Sequence, residues 1–127
     1  MRRAIQITVS LACVAIVLFG ARYALGRERV RKTDLVRLYQ QINLESFDGA
    51  LPDVVVKWGS LKDANGETQF SEGLKVIDID RASVTSEEQL VKTVQHDACH
   101  VYTHAVVEET GQDAHGEAFQ SCMKRFE

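Results

Sequence analysis

His96 and His100 stand four residues apart, and an acidic residue, Asp97, directly follows the first. On a helix, residues i and i+4 share one face about 6 Å apart, so two imidazoles at this spacing can grip one metal ion. The pattern is that of H-E-x-x-H zinc sites with one change, because Asp97 occupies the place of the Glu that serves there as general base toward a zinc-activated water. Zinc takes four ligands, and a catalytic site uses three from the protein plus water, so a third ligand has to come from elsewhere. His104 continues the i+4 row but lies about 12 Å along the axis from His96, too far to share one ion. Glu108 and Glu109 follow so closely that the helix would have to stop abruptly to fold them back. His115, after a Gly-containing turn, has the freedom to return and is preferred, with Glu117 as its rival.

Asp97 keeps a carboxylate of similar basicity but is one methylene shorter than Glu, which draws its oxygens back by roughly 1.5 Å. A general base has to come within about 2.6 to 3.2 Å of its proton or act through a water. A misplacement of about 1 Å can cost on the order of a hundredfold in rate. The ligand half of the motif is therefore intact and the catalytic half impaired, and Asp97 reads either as an imperfect base or as a supporting carboxylate in an inactive metal domain.

The elements that have to position these residues can be read from periodicity. Thr85-Ser86-Glu87-Glu88 fits a capping box with Thr85 at the cap. Leu90, Val91, Val94, Ala98, Val101 and Ala105 then carry an apolar stripe through the histidines for about twenty residues, to an end at Gly111. A last helix spans about residues 115–126, with Phe119 as its anchor. Upstream, Leu35, Leu38, Tyr39 and Ile42 recur at helical spacing over about residues 33–46, and Asp48-Gly49 and Pro52 break that helix. Val-rich residues 53–58, residues 68–70 and residues 74–79 read as three strands, with Asn65-Gly66 as a tight reversal that makes the sheet antiparallel at least in part. Trp58 and Phe70 belong to these strands and are expected to pack under the metal-bearing helix. The fold class is α+β: a helix, about three strands, the helix with HDxxH, and a C-terminal helix.

Residues 33–127 hold 8 Lys/Arg against 17 Asp/Glu, whereas residues 1–32 hold 7 against 1. The acidic part offers no electrostatic footprint for a phosphate backbone, which argues against direct nucleic-acid binding. The basic part surrounds residues 4–21, which carry no charge and would reach roughly 27 Å as a helix. Three readings fit this run: an uncleaved single-pass membrane anchor, which its length favours; a cleaved secretory signal with Arg2 and Arg3 as its basic end; and a buried helix of the soluble domain, disfavoured because a segment apolar all round would need a larger protein to cover it. The excess of basic residues after the run favours a cytoplasmic domain by the positive-inside rule. The division is thus residues 1–32, an anchor or signal with a basic linker, and residues 33–127, one small domain. No CxxC pair exists, so zinc ribbons and thioredoxin-type sites are excluded. Cys99 and Cys122 read as buried thiols, or as a disulfide if the domain faces an oxidising compartment. Nothing in the sequence specifies an oligomeric state.

Leu38-Tyr39-Gln40-Gln41-Ile42-Asn43, Phe47-Asp48-Gly49-Ala50-Leu51-Pro52 and Val54-Val55-Val56-Lys57-Trp58 resemble the opening of SprT-like (Spartan-type) zinc metalloproteases. Thr93-x-x-His96-x-x-Cys99-His100 and His115-Gly116-x-x-Phe119 resemble that family's active-site helix and third-ligand motif. The resemblance implies a zincin-like domain, Zn2+ on His96, His100 and His115, and hydrolysis of protein or peptide substrates by a zinc-activated water. Asp97 departs from the family's Glu, so a zinc-binding pseudoprotease that holds peptides without cutting them is the alternative.

Overall fold

In the computed structural model, the backbone is described for residues 2–108 and 114–127, and side chains from residue 14 onward within that span. The chain divides into two compact units, residues 1–32 and residues 33–127. The first unit is a single helix, α1 (Arg2–Arg31).

The expectation of a membrane anchor is corrected here, since no helix among the described residues is long and apolar enough to cross a membrane. Residues 4–13 of the uncharged run lie outside the described side chains, and from residue 14 onward α1 carries Arg22, Arg27, Glu28, Arg29 and Arg31. Neither the single-pass location nor the membrane as a partner is supported.

The second unit is α+β. Helix α2 (Leu35–Phe47) starts at Asp34, whose carboxylate accepts from the Arg37 amide, and buries Leu35, Tyr39, Ile42 and Phe47 at helical spacing. It ends at Asp48 in the left-handed region, followed by Gly49 at φ 74°. Asp and Gly tolerate that region, so the chain can reverse abruptly there. Two α2 side chains one turn apart hold the returning segment. The Tyr39 hydroxyl donates to the Pro52 carbonyl, and Asn43 clamps Leu51 by accepting from its N–H at 2.9 Å and donating to its carbonyl at 3.0 Å.

The chain then forms β1 (Val55–Gly59), β2 (Gly66–Ser71) and β3 (Leu74–Asp80), ordered β1-β3-β2. β3 is parallel to β1 and antiparallel to β2. The sheet is thus antiparallel in part, as expected, but the tight reversal is Glu72-Gly73, with Gly73 at φ 77°, and not Asn65-Gly66. Val56, Ile77 and Ile79 are buried on one face. The cross-strand row Lys57, Asp78 and Glu67 lies on the other, where Lys57 reaches Asp78 at 3.5 Å. Asp80, 4 % exposed, accepts from the amides of Leu61 and Ser83 at 2.9 and 2.8 Å. These bonds hold its carboxyl below the usual range and tie β3 to the segments on either side of it.

Helix α3 (Glu87–Ala105) begins one residue later than the sequence pattern suggests. Ser86 is the cap, and Gln89, not Glu88, closes the capping box. Its end at Ala105 precedes residues 109–113, so the expected stop at Gly111 lies outside the described residues. Helix α4 (Glu117–Met123) and a 3-10 turn (Lys124–Phe126) complete the unit. The Arg125 guanidinium lies 5.0 Å from the Phe47 ring centre and 4.8 Å from that of Tyr102, and donates to the Ser46 carbonyl at 2.8 Å. The C-terminus is thereby fastened to the end of α2.

Truncating Asn43 removes two bonds and leaves the part-buried Leu51 amide without its acceptor, which should cost about 2 to 3 kcal/mol. Asn43→Ala is therefore expected to lower the urea midpoint clearly, while Gln41→Ala, on the exposed face of the same helix, leaves it nearly unchanged. Equal midpoints for Asn43→Ala and the native chain would contradict the clamp.

Candidate metal site

α3 places His96 and His100 one turn apart, half-buried, at one end of a cavity of about 750 Å³ between α3 and β2. The segment before α4 returns His115 to the same point. The ligand atoms of the three histidines all lie within 4.8 Å of one another, with His96 Nε2 3.2 Å from His100 Nε2 and 3.3 Å from His115 Nε2. A ring nitrogen carries either one hydrogen or one lone pair, so His96 Nε2 can make a well-aligned hydrogen bond to only one of these neighbours. Three such atoms converging can hold a metal ion.

The surroundings favour the form that binds metal. Burial, with the neighbouring imidazoles adding to it, lowers the His96 pKa and brings that of His100 down to about 4. Both rings are therefore neutral at physiological pH, with a lone pair available. The Phe119 ring, 4 % exposed, lies 4.8, 4.5 and 4.8 Å from the ring centres of His96, His100 and His115. One apolar side chain thus backs all three candidate ligands. The rival ligand Glu117 is not among the grouped ligand atoms, and neither is His104. The His104 ring instead stacks on Phe70 of β2, centres 3.8 Å apart and planes 7° from parallel.

Asp97 lines the same cavity but its carboxylate is bound to β2. Oδ1 accepts from the Thr68 hydroxyl at 2.8 Å, the residue is 1 % exposed, and Oδ2 is buried with no hydrogen-bond partner. Gly66 makes this possible. A Cβ there would collide with Asp97 Oδ2 and stand 2.6 Å from Thr93 Cγ2, so β2 can approach α3 this closely only without a side chain at that position. Sequence reasoning missed both Thr68 and Gly66. The alternation of small and polar residues along β2 was visible, but Asn65-Gly66 carried an equally good turn signal. Burial pushes the Asp97 carboxyl up to about 6; the Thr68 bond opposes this shift and the charge of Glu67 adds to it.

Cys99, next to His100 in sequence, is bonded to Cys122 of α4, with both residues buried. Of the two states that the sequence left open, the structure has the disulfide.

The domain is thus α+β, with three histidines that could hold a metal ion gathered beside an edge strand. The model of the SprT-like family matches residues 35–127, and the chain belongs to that family. No curated protein matches the chain at a significant level.

A carboxyl whose folded pKa lies above its unfolded value binds more protons in the native state, so it lowers native stability as pH rises from 3.8 to about 6. In the metal-free protein, Asp97→Asn should therefore gain on the native chain between pH 4 and pH 8, by up to about 3 kcal/mol for a shift of this size. Urea midpoints across that range check this. Parallel pH profiles for the two proteins would contradict the buried, proton-holding carboxyl.

Proposed function

We propose that residues 33–127 form a zincin-like zinc metallopeptidase domain of the SprT-like type, acting on peptide bonds of protein or peptide substrates, with turnover reduced by Asp97. The observation that carries this reading is the convergence of three imidazoles. Tetrahedral zinc with Zn–N bonds of about 2.05 Å places its nitrogens about 3.3 Å apart. The two Nε2 separations of 3.2 and 3.3 Å fit that edge length. His96, His100 and His115 are the ligands in this reading, and family membership supports the assignment.

A bound zinc ion supplies a Lewis acid that polarises a carbonyl and makes a water acidic near neutral pH. The chain's own residues do the remaining work. β2 pairs with β3 along one side and borders the cavity with Gly66, Thr68 and Phe70. Its other edge can align an extended peptide by backbone hydrogen bonds, which suits substrates of varied sequence. Asp97 is the only carboxylate adjacent in sequence to a candidate ligand and takes the proton of the attacking water. To do so it has to loosen its bond to Thr68, because in its resting position water does not reach Oδ2.

That resting position favours a second reading, a zinc-stabilised pseudoprotease in which Asp97 only ties α3 to β2 and the cavity binds peptide without cutting it. Zinc stoichiometry and casein cleavage by the native chain, Asp97→Glu and Asp97→Ala separate the two. The metallopeptidase reading expects one zinc per chain, slow cleavage by the native protein, none by Asp97→Ala, and faster cleavage by Asp97→Glu, on the order of a hundredfold. Zinc bound with no cleavage in native chain or Asp97→Ala selects the pseudoprotease. A native chain that retains no zinc, with His115→Ala changing nothing, contradicts both.

A further inference from the structure

His100 and His115 lie inside the loop that the Cys99–Cys122 bond closes, a loop with a sequence separation of 23 residues between its ends. Of the three candidate ligands, His96 and His100 are fixed to each other by the hydrogen-bonded turn of α3. His115 is exposed and precedes a helix of only seven residues, whose cap, Gly116, makes no side-chain capping bond. A helix this short does not hold itself together in water. Its place is set by what its side chains touch on α3. Two residues of α4 are buried, Phe119 against the three imidazoles and Cys122 in the covalent bond to Cys99. The bond joins the residue next to His100 to the last turn of the helix that follows His115, with Cα atoms 5.8 Å apart. Neither sulfur-bearing residue is more than 2 % exposed, so the cross-link sits inside the packing between α3 and α4.

Resting on the metal site proposed above, we propose that the Cys99–Cys122 disulfide is the positioning element of the third ligand and sets the metal affinity of this domain. Cross-linking α4 to α3 keeps the His115 imidazole at high effective concentration beside the other two, so its ordering does not have to be supplied when metal binds. The cysteines themselves are positioning residues and do not ligate. Outer elements that orient metal ligands typically change affinity by about 10- to 100-fold, and an effect of that size is expected here.

The test uses the full chain and zinc alone, with affinity read by competition against a chromophoric chelator and folding followed by near-UV circular dichroism. Cys99→Ala/Cys122→Ala should stay folded and bind zinc about 10- to 100-fold more weakly than the native protein. His115→Ala should lose a comparable factor. Adding His115→Ala to the double variant should cost little more, because the cross-link acts through that ligand. If the alanine pair does not fold, Cys99→Val/Cys122→Val restores the buried volume without the bond and is read in the same way. Native affinity in the folded cross-link variants overturns the inference, and so do losses that simply multiply with that of His115→Ala. A native protein that binds no zinc overturns the metal site and this inference together, whereas native binding with an unaffected double variant overturns this inference alone.

Discussion

The Nε2 atoms of His100 and His115 lie 3.2 and 3.3 Å from that of His96, which can make a well-aligned hydrogen bond to only one of them, and the rest of the domain is organised to impose this arrangement. Two of the rings come from the period of one helix. The third requires the chain to leave α3, return, and be pressed back by Phe119, by the disulfide, and by Arg125 lodged on Phe47 and Tyr102. A metal ion at that point could take a lone pair from all three rings at once. For a domain of this size the ligand energy then counts toward folding.

The same helix register that turns His96 and His100 toward the cavity turns Asp97 toward β2. With one methylene less than Glu, its carboxylate lies against the strand, accepting from Thr68 and filling the space that Gly66 leaves. This contact joins the histidine-bearing helix to the edge strand, and it withdraws the carboxylate from water. In the proposed metallopeptidase, structural attachment and proton transfer would compete for this one side chain.

Much of this was legible in the sequence because it follows from period and backbone chemistry. The stripe through Leu90, Val94, Ala98 and Val101 is the buried face of α3, and Asp48-Gly49 ends α2 as its turn chemistry suggests. The i, i+4 spacing of His96 and His100 and the Gly-containing segment before His115 pointed to the three histidines that the structure groups. Other features depend on tertiary contact. Ser86 and Thr85 are equally good caps, and only the reach of Gln89 decides between them. Asn65-Gly66 reads as a turn until α3 is seen lying against it. The parallel pairing of β1 with β3 leaves no local mark. The N-terminal run reads in sequence as long enough to span a bilayer, yet no helix among the described residues is long and apolar enough to cross one.

The most direct test of the account is the zinc K-edge X-ray absorption spectrum of the zinc-loaded full chain. Three imidazole nitrogens at about 2.0 to 2.1 Å with one further oxygen is the predicted first shell. Sulfur at about 2.3 Å, or a shell with fewer than three imidazoles, would contradict a site built from His96, His100 and His115.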